Sequence, residues 1–126
     1  MAQNGQYTYP LPNSTTDFSD KEGYSVKGDG SGNIALSANS TLAIGVIRVG
    51  RAANLKSDVA MPGDIAPVIL SGTVYAGDIL AIDSNSKFAA STPTDGDIVG
   101  AVAMEAGVSG DLVDALIVKA MRFEAG

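Results

Sequence analysis

Any chemistry in this chain would have to come from carboxylates, lysines and glycine-rich turns, because the sequence contains no His and no Cys. It therefore has no imidazole base, no thiolate nucleophile and none of the usual soft metal sites. Two carboxylate pairs, Asp95/Asp97 and Asp111/Asp114, lie close in sequence. A glycosidase needs two carboxylates flanking a cleft with separated proton affinities, and sequence proximity alone does not build one. Asp64, Asp78, Asp97 and Asp111 each follow a Gly and precede an apolar residue. From that position an Asp side chain accepts hydrogen bonds from turn amides, so the pattern predicts structural carboxylates.

Asp29-Gly-Ser31-Gly-Asn33 offers oxygens at the first, third and fifth positions of a calcium loop. An EF-hand then needs Gly at the sixth position and a bidentate Glu at the twelfth, where this chain has Ile34 and Ser40. The segment reads as a hairpin turn. The run Gly28, Gly30, Gly32 leads into an apolar strand and not into a helix N-terminus, so it lacks the amides and dipole that cradle a phosphate. Tyr75-Ala-Gly77-Asp78-Ile79-Leu80 has the Gly-Asp-x-Leu order of biotinyl and lipoyl carrier domains, but the only candidate modified lysine, Lys119, has no following strand to close its hairpin. No catalytic residue, metal site or cofactor is expected.

The elements that remain must serve another purpose. The 126 residues are 45% hydrophobic and 17% charged, enough for one core. Eight Lys and Arg against fourteen Asp and Glu give a net charge of −6, whereas nucleic-acid readers carry a basic stripe that displaces counterions. No window holds the ~18 apolar residues that span a bilayer, and the N-terminus lacks a basic segment and an apolar run. A soluble protein is expected, with no nucleic-acid or membrane partner and no disulfide.

Residues 1–22 show no period of 2 or 3.6. They read as an extended N-terminal arm in which Pro10 and Pro12 hold Tyr9 and Leu11 out of the helical region. Tyr7, Tyr9, Pro10, Leu11, Pro12 and Phe18 are its candidate contact residues, since they are more apolar anchors than a solvating tail needs. A leader that does nothing is the alternative. Such a segment is expected to order on a partner, with a domain at residues 23–126 that folds without it.

From Gly23 onward, short apolar runs alternate with Gly, Asp, Asn and Ser clusters. The runs start at Tyr24, Asn33, Ala43, Ile65, Ile79, Lys87, Ile98 and Leu112. Their spacing and β-branching predict eight short strands in a mainly β fold, a small β-barrel or sandwich. Ile34, Leu36, Ile44, Val46, Val68, Leu70, Ile79, Ile82, Val99, Val102 and Ile117 are the predicted core. Residues 110–123 also carry Leu112, Val113, Leu116, Ile117, Ala120 and Met121 at helical spacing. We read them as a closing strand around Leu116-Ile117-Val118. An internal echo pairs Asp29 to Ala35 with Asp83 to Ala89 at an offset of 54, and Gly45 with Gly100 at an offset of 55. It suggests two copies of one β unit, although common hairpin chemistry would produce a similar pattern.

The second half resembles the capsid cement, or head decoration, proteins of tailed bacteriophages. The residues that carry the resemblance are Ala76-Gly77-Asp78-Ile79-Leu80-Ala81, then Asp83 and Lys87-Phe88, then Ile98-Val99-Gly100-Ala101-Val102-Ala103-Met104-Glu105-Ala106, and Gly110-Asp111 with its closing strand. It covers about residues 43 to 120, and Ser86 stands where that family has Gly. The resemblance implies a tulip-like β module on the virion exterior, made in the host cytoplasm. It would bind the major capsid protein as a homotrimer and stabilise the shell by bridging capsomers, with the arm ordered against the surface. A head or tail fibre subunit is the nearest alternative. A carbohydrate-binding β-module is a further one, with only Tyr7, Tyr9, Tyr24 and Tyr75 to form an aromatic platform.

Overall fold

The computed structural model describes residues 8–13, 16–37, 42–90 and 98–122, all of them strand, turn or loop. Among the described residues there are ten strands: β1 Thr8–Pro12, β2 Ser25–Gly28, β3 Ile34–Leu36, β4 Gly45–Val49, β5 Lys56–Ala60, β6 Ile65–Ile69, β7 Ile79–Ile82, β8 Phe88–Ala90, β9 Ile98–Ala103 and β10 Leu112–Arg122. They form two curled antiparallel sheets, ordered β1-β5-β4-β2-β3 and β6-β10-β9-β7-β8. The expected small β-barrel or sandwich is therefore the architecture, with two strands more than the apolar runs suggested. One is β1, read as arm. The other is β5, whose Lys56, Ser57 and Asp58 hide a strand that is paired on both sides and anchored by the buried Val59 and Ala60.

The second sheet repeats the first with five added to every strand number. The hairpin pairings Val26↔Leu36, Lys27↔Ala35 and Gly28↔Ile34 recur as Leu80↔Ala90, Ala81↔Ala89 and Ile82↔Phe88. Ser25↔Val46 and Val26↔Gly45 recur as Ile79↔Val102 and Leu80↔Ala101. Pro10↔Asp58 recurs as Pro67↔Asp114, at the same place on each outermost strand. The internal echo is thus a repeat of structure, with one correction: register matches Gly45 to Ala101, an offset of 56, and not to Gly100.

Most of the core lies in and against the second sheet, where Val68, Leu70, Val74, Leu80, Phe88, Ile98, Ala101, Ala115 and Ile117 are buried together with Val46 and Ala60 of the first. A second cluster covers the other face of the first sheet: Phe18, Val26, Ile34, Ile47 and Val59, with Leu11, Leu36 and Met61 against it. Of the predicted core, Ile34, Val46, Val68, Leu70, Ile82 and Ile117 are buried, and Leu36, Val99 and Val102 are half-buried. Ile44 and Ile79 are corrections, with 36% and 41% of their surface exposed. Alternation along a strand tells which residues share a face, but not which face is covered.

The halves are joined by the outer edge of β6. Ile69 N donates to the Gly23 carbonyl at 3.1 Å, and Arg48 Nη2 donates to the Ile65 carbonyl at 2.8 Å. The same guanidinium bonds the buried carboxylate of Asp64, an ion pair between the halves where the sequence suggested only a turn residue. Gly23 sits at φ +88°, and a Cβ there would stand 2.7 Å from Ile69 N, so the approach requires glycine.

Candidate attachment surface

β1 pairs with β5 over its whole length, Thr8↔Ala60 to Pro12↔Lys56. Two residues beyond Leu11, Asn13 N donates to the Leu55 carbonyl at 2.9 Å. The amides of Tyr9, Leu11 and Asn13 therefore face β5, because backbone groups alternate in direction along a strand. The even positions face outward, and two of the three are proline, which has no N–H. The segment 1–22 is thus not a separate arm in its described part: it supplies an edge strand, and then a loop whose Phe18 N donates to the Arg51 carbonyl at 2.9 Å. Prolines on the outward positions leave few donors for a further strand. The pairing edge of this segment is occupied by β5.

The six candidate contact residues separate in space. Tyr9 is 60% exposed and Pro10 is exposed beside it, whereas Leu11 and Pro12 are half-buried, Leu11 against the second cluster. Phe18 is a correction. Its side chain has no exposed surface, being packed among Val26, Ile34, Ile47 and Val59, so it holds the fold. The apolar content that suggested a binding arm was in this case core content. Tyr7 lies outside the described residues. Asn13 fixes the end of β1: its buried Nδ2 donates to the carbonyls of Arg51 and Ala52 at 2.7 and 3.0 Å.

Asp78 and Asp111 do what their positions predicted, whereas Asp64 pairs with Arg48. Asp78 Oδ2 accepts from Tyr75 N at 2.9 Å and Asp111 Oδ2 from Val108 N at 3.0 Å, each closing its own turn. Asp29 Oδ1 accepts from Ser31 N and Asn33 N at 2.7 and 3.2 Å, which makes it the anchor of a hairpin turn. Asp95 and Asp97 lie outside the described residues. Ser86 takes the left-handed conformation, φ 67°, that Gly32 takes at φ 89° in the first half, so the two turns share it despite the different residue. Its hydroxyl donates to the Ser37 carbonyl at the seam between the halves.

No protein-family model and no curated protein matches this chain. Among solved structures, the chain is similar to the head fiber gp8.5 N base of bacteriophage phi29, with a TM-score of 0.66 at 18% identity, over 95% of this chain and 99% of that one. At that identity the likeness concerns the fold, and it extends through both sheets.

Among the described residues, the aromatic side chains do not form one platform. Tyr9 is on β1 of the first sheet and Tyr75, 66% exposed, is in the turn before β7 of the second. Tyr24 is half-buried, with the Lys21 and Lys87 ammoniums 5.2 and 5.9 Å from its ring centroid. Around it Leu36, Ser37, Asn85 and Ser86 line a shallow groove between the two hairpins. Sequence reading missed a different feature, an apolar row across the outer face of the second sheet. Ile79 pairs with Val102, Val102 with Leu116, and Leu116 with Ile65. Its only signal in the sequence is that Ile79 and Ile65 follow Gly-Asp turns at strand starts, where a side chain is easily left uncovered.

Proposed function

We propose that this protein is a structural component of a phage virion that attaches to the outside of the head and stabilises the shell by bridging neighbouring capsomers as a trimer. The observation that carries this reading is the two-sheet fold shared along 95% of the chain with a phage head fiber base. The ordered motifs that resemble capsid cement proteins point to the same class of partner, the major capsid protein. The chemistry agrees in kind: Asp29, Asp78 and Asp111 close turns and Asp64 pairs with Arg48, all of them structural roles. Attachment by many small, repeated interfaces suits such a module, because the free energy of each bound copy adds to the stability of the assembled state. Tyr9 and Pro10, with the exposed flank of Leu11 and Pro12, form the contact surface, through side chains set on an edge strand.

A second reading, the base of a head fibre, is favoured by the structural neighbour, itself a phage head fiber base. Electron microscopy of heads with and without added protein distinguishes the two. A cement role gives density lying flat across capsomer seams and heads that survive higher temperature. A fibre base gives density at isolated positions projecting outward. Heads that take up no protein would overturn both.

A further inference from the structure

We infer that the groove beside Tyr24 is a binding site for an acidic saccharide, a sugar chain that carries carboxylate or phosphate groups. The site lies at the seam between the two halves and includes no residue of β1. It does not rest on how the protein attaches to a head.

The repeat separates what the turns require from what they do not. Tyr24 stands where the second half has Asp78. Tyr24 N donates to the Lys21 carbonyl at 3.1 Å, as Asp78 N does to the Tyr75 carbonyl at 3.0 Å, and the two carbonyls accept from Ile47 N and Ala103 N, both at 2.9 Å. Asp78 also closes its turn with its carboxylate. In the first half that closing group is given up for an aromatic ring, and the equivalent of Tyr75 is Lys21. Lys87 ends its hairpin turn through its backbone, as Asn33 does in the first half, so the turn does not call for a lysine side chain. These three residues meet. The Lys21 and Lys87 ammoniums lie 5.2 and 5.9 Å from the centroid of the Tyr24 ring. A chain of net charge −6 thus gathers two cations at one ring, where the local charge is opposite to that of the whole.

The groove measures about 520 Å³, within the size of sites that take small organic ligands. Its floor is fixed by buried serines from both halves. Ser25 N donates to the Ser86 carbonyl at 2.9 Å, the Ser86 hydroxyl donates to the Ser37 carbonyl, and the hydroxyls of Ser25 and Ser37 bond each other. A floor set in advance lowers the ordering cost of binding. Above it, the Tyr24 hydroxyl, the Ser84 hydroxyl and the Asn85 carboxamide hydrogen-bond to none of the described residues. Such groups both donate and accept, as sugar hydroxyls do, and the lysines supply point charges for a carboxylate or phosphate. Leu36 is the one aliphatic residue among the described lining, which offers little to a peptide side chain or an acyl chain. Two carboxylates on the same segments are already engaged. Asp83 Oδ1 accepts from Asn85 N and Lys87 N at 2.8 and 3.0 Å, and Asp20 pairs with Lys21 at 3.3 Å in an exposed contact that is easily exchanged.

Titration calorimetry on the full chain tests this. The probes are polygalacturonate for sugar carboxylates, a poly(glycerol phosphate) teichoic acid for sugar-linked phosphates, dextran as a neutral saccharide, and polyglutamate as an acidic chain without sugar. At least one of the two acidic saccharides is expected to bind, more weakly as salt is raised, and which of them binds assigns the acidic group. Dextran and polyglutamate should not bind. Lys21→Ala and Lys87→Ala should each weaken binding about tenfold, and Lys87→Arg should keep most of it. Lys119→Ala removes an exposed lysine outside the groove and should leave binding unchanged. All of these variants should melt within a few degrees of the wild type, since the altered side chains are at least partly exposed. Failure of both acidic saccharides to bind, or dextran or polyglutamate binding as tightly as they do, would overturn the proposal. So would a loss in Lys119→Ala equal to that in Lys87→Ala, which is the pattern of charge acting without a site.

Discussion

Asp29 and Asp83, 54 residues apart, hold the same turn in the two halves. Each Oδ1 accepts from the amides two and four residues on, Ser31 and Asn33 at 2.7 and 3.2 Å, and Asn85 and Lys87 at 2.8 and 3.0 Å. Each backbone amide in turn reaches the carbonyl four residues later, Asp29 to Asn33 at 3.0 Å and Asp83 to Lys87 at 2.9 Å. One carboxylate thereby satisfies two amides that a tight hairpin would leave to water. Asp29→Ala and Asp83→Ala should each lower stability by about 1 kcal/mol, the discounted value of charge-assisted bonds at an exposed turn. The double variant should lose the sum, because the turns share no partner. Urea denaturation with an unchanged m-value is the measurement.

Phe18 and Tyr9 should separate stability from attachment. Phe18→Ala removes a fully buried ring and should cost about 3–5 kcal/mol. Tyr9→Ala, at a 60% exposed position, should cost less than ~0.5 kcal/mol. For the same reason, deleting residues 1–18 should weaken the fold strongly, because it takes away both β1 and the Phe18 ring. Equal melting temperatures for the two single variants would contradict the placement of Phe18.

Gly50 should be irreplaceable. A Cβ there would stand 1.7 Å from the Phe18 carbonyl oxygen, an approach that only backbone movement could relieve. The loop carrying Phe18 is held at that spot by the hydrogen bond that its amide donates to the Arg51 carbonyl. Gly50→Ala should therefore destabilise by roughly 2–4 kcal/mol, among the larger single-residue effects. A variant that melts with the wild type would show that the two segments can separate freely.

Attachment should depend on the exposed side of β1. Tyr9→Ala combined with Pro10→Ala should reduce co-sedimentation with phage heads about tenfold, corresponding to ~1.4 kcal/mol, while leaving the melting temperature in place. Full occupancy by this variant would move the contact surface away from β1.

The sequence by itself determined the turns and the class of fold. Gly, Asp and Asn set backbone conformation through their own atoms, so the hairpins at Asp29 and Asp83 and the caps at Asp78 and Asp111 could be read directly. Short β-branched runs between such turns leave little but strands. The repeat was legible at the hairpins, where the turn chemistry is the same, and lost its register at β4, where only a strand partner fixes it. Tertiary structure decided the rest. Leu112 to Met121 fits a helix as well as a strand, and it is a strand because β6 and β9 pair with it on either side. Lys56 to Ala60 opens on polar residues and is a strand for the same reason. Phe18 looked like an anchor for a partner and is an anchor for its own sheet. Ile79 looked like core and lies outside, because a pattern of alternation names two faces and only packing chooses the one that water leaves.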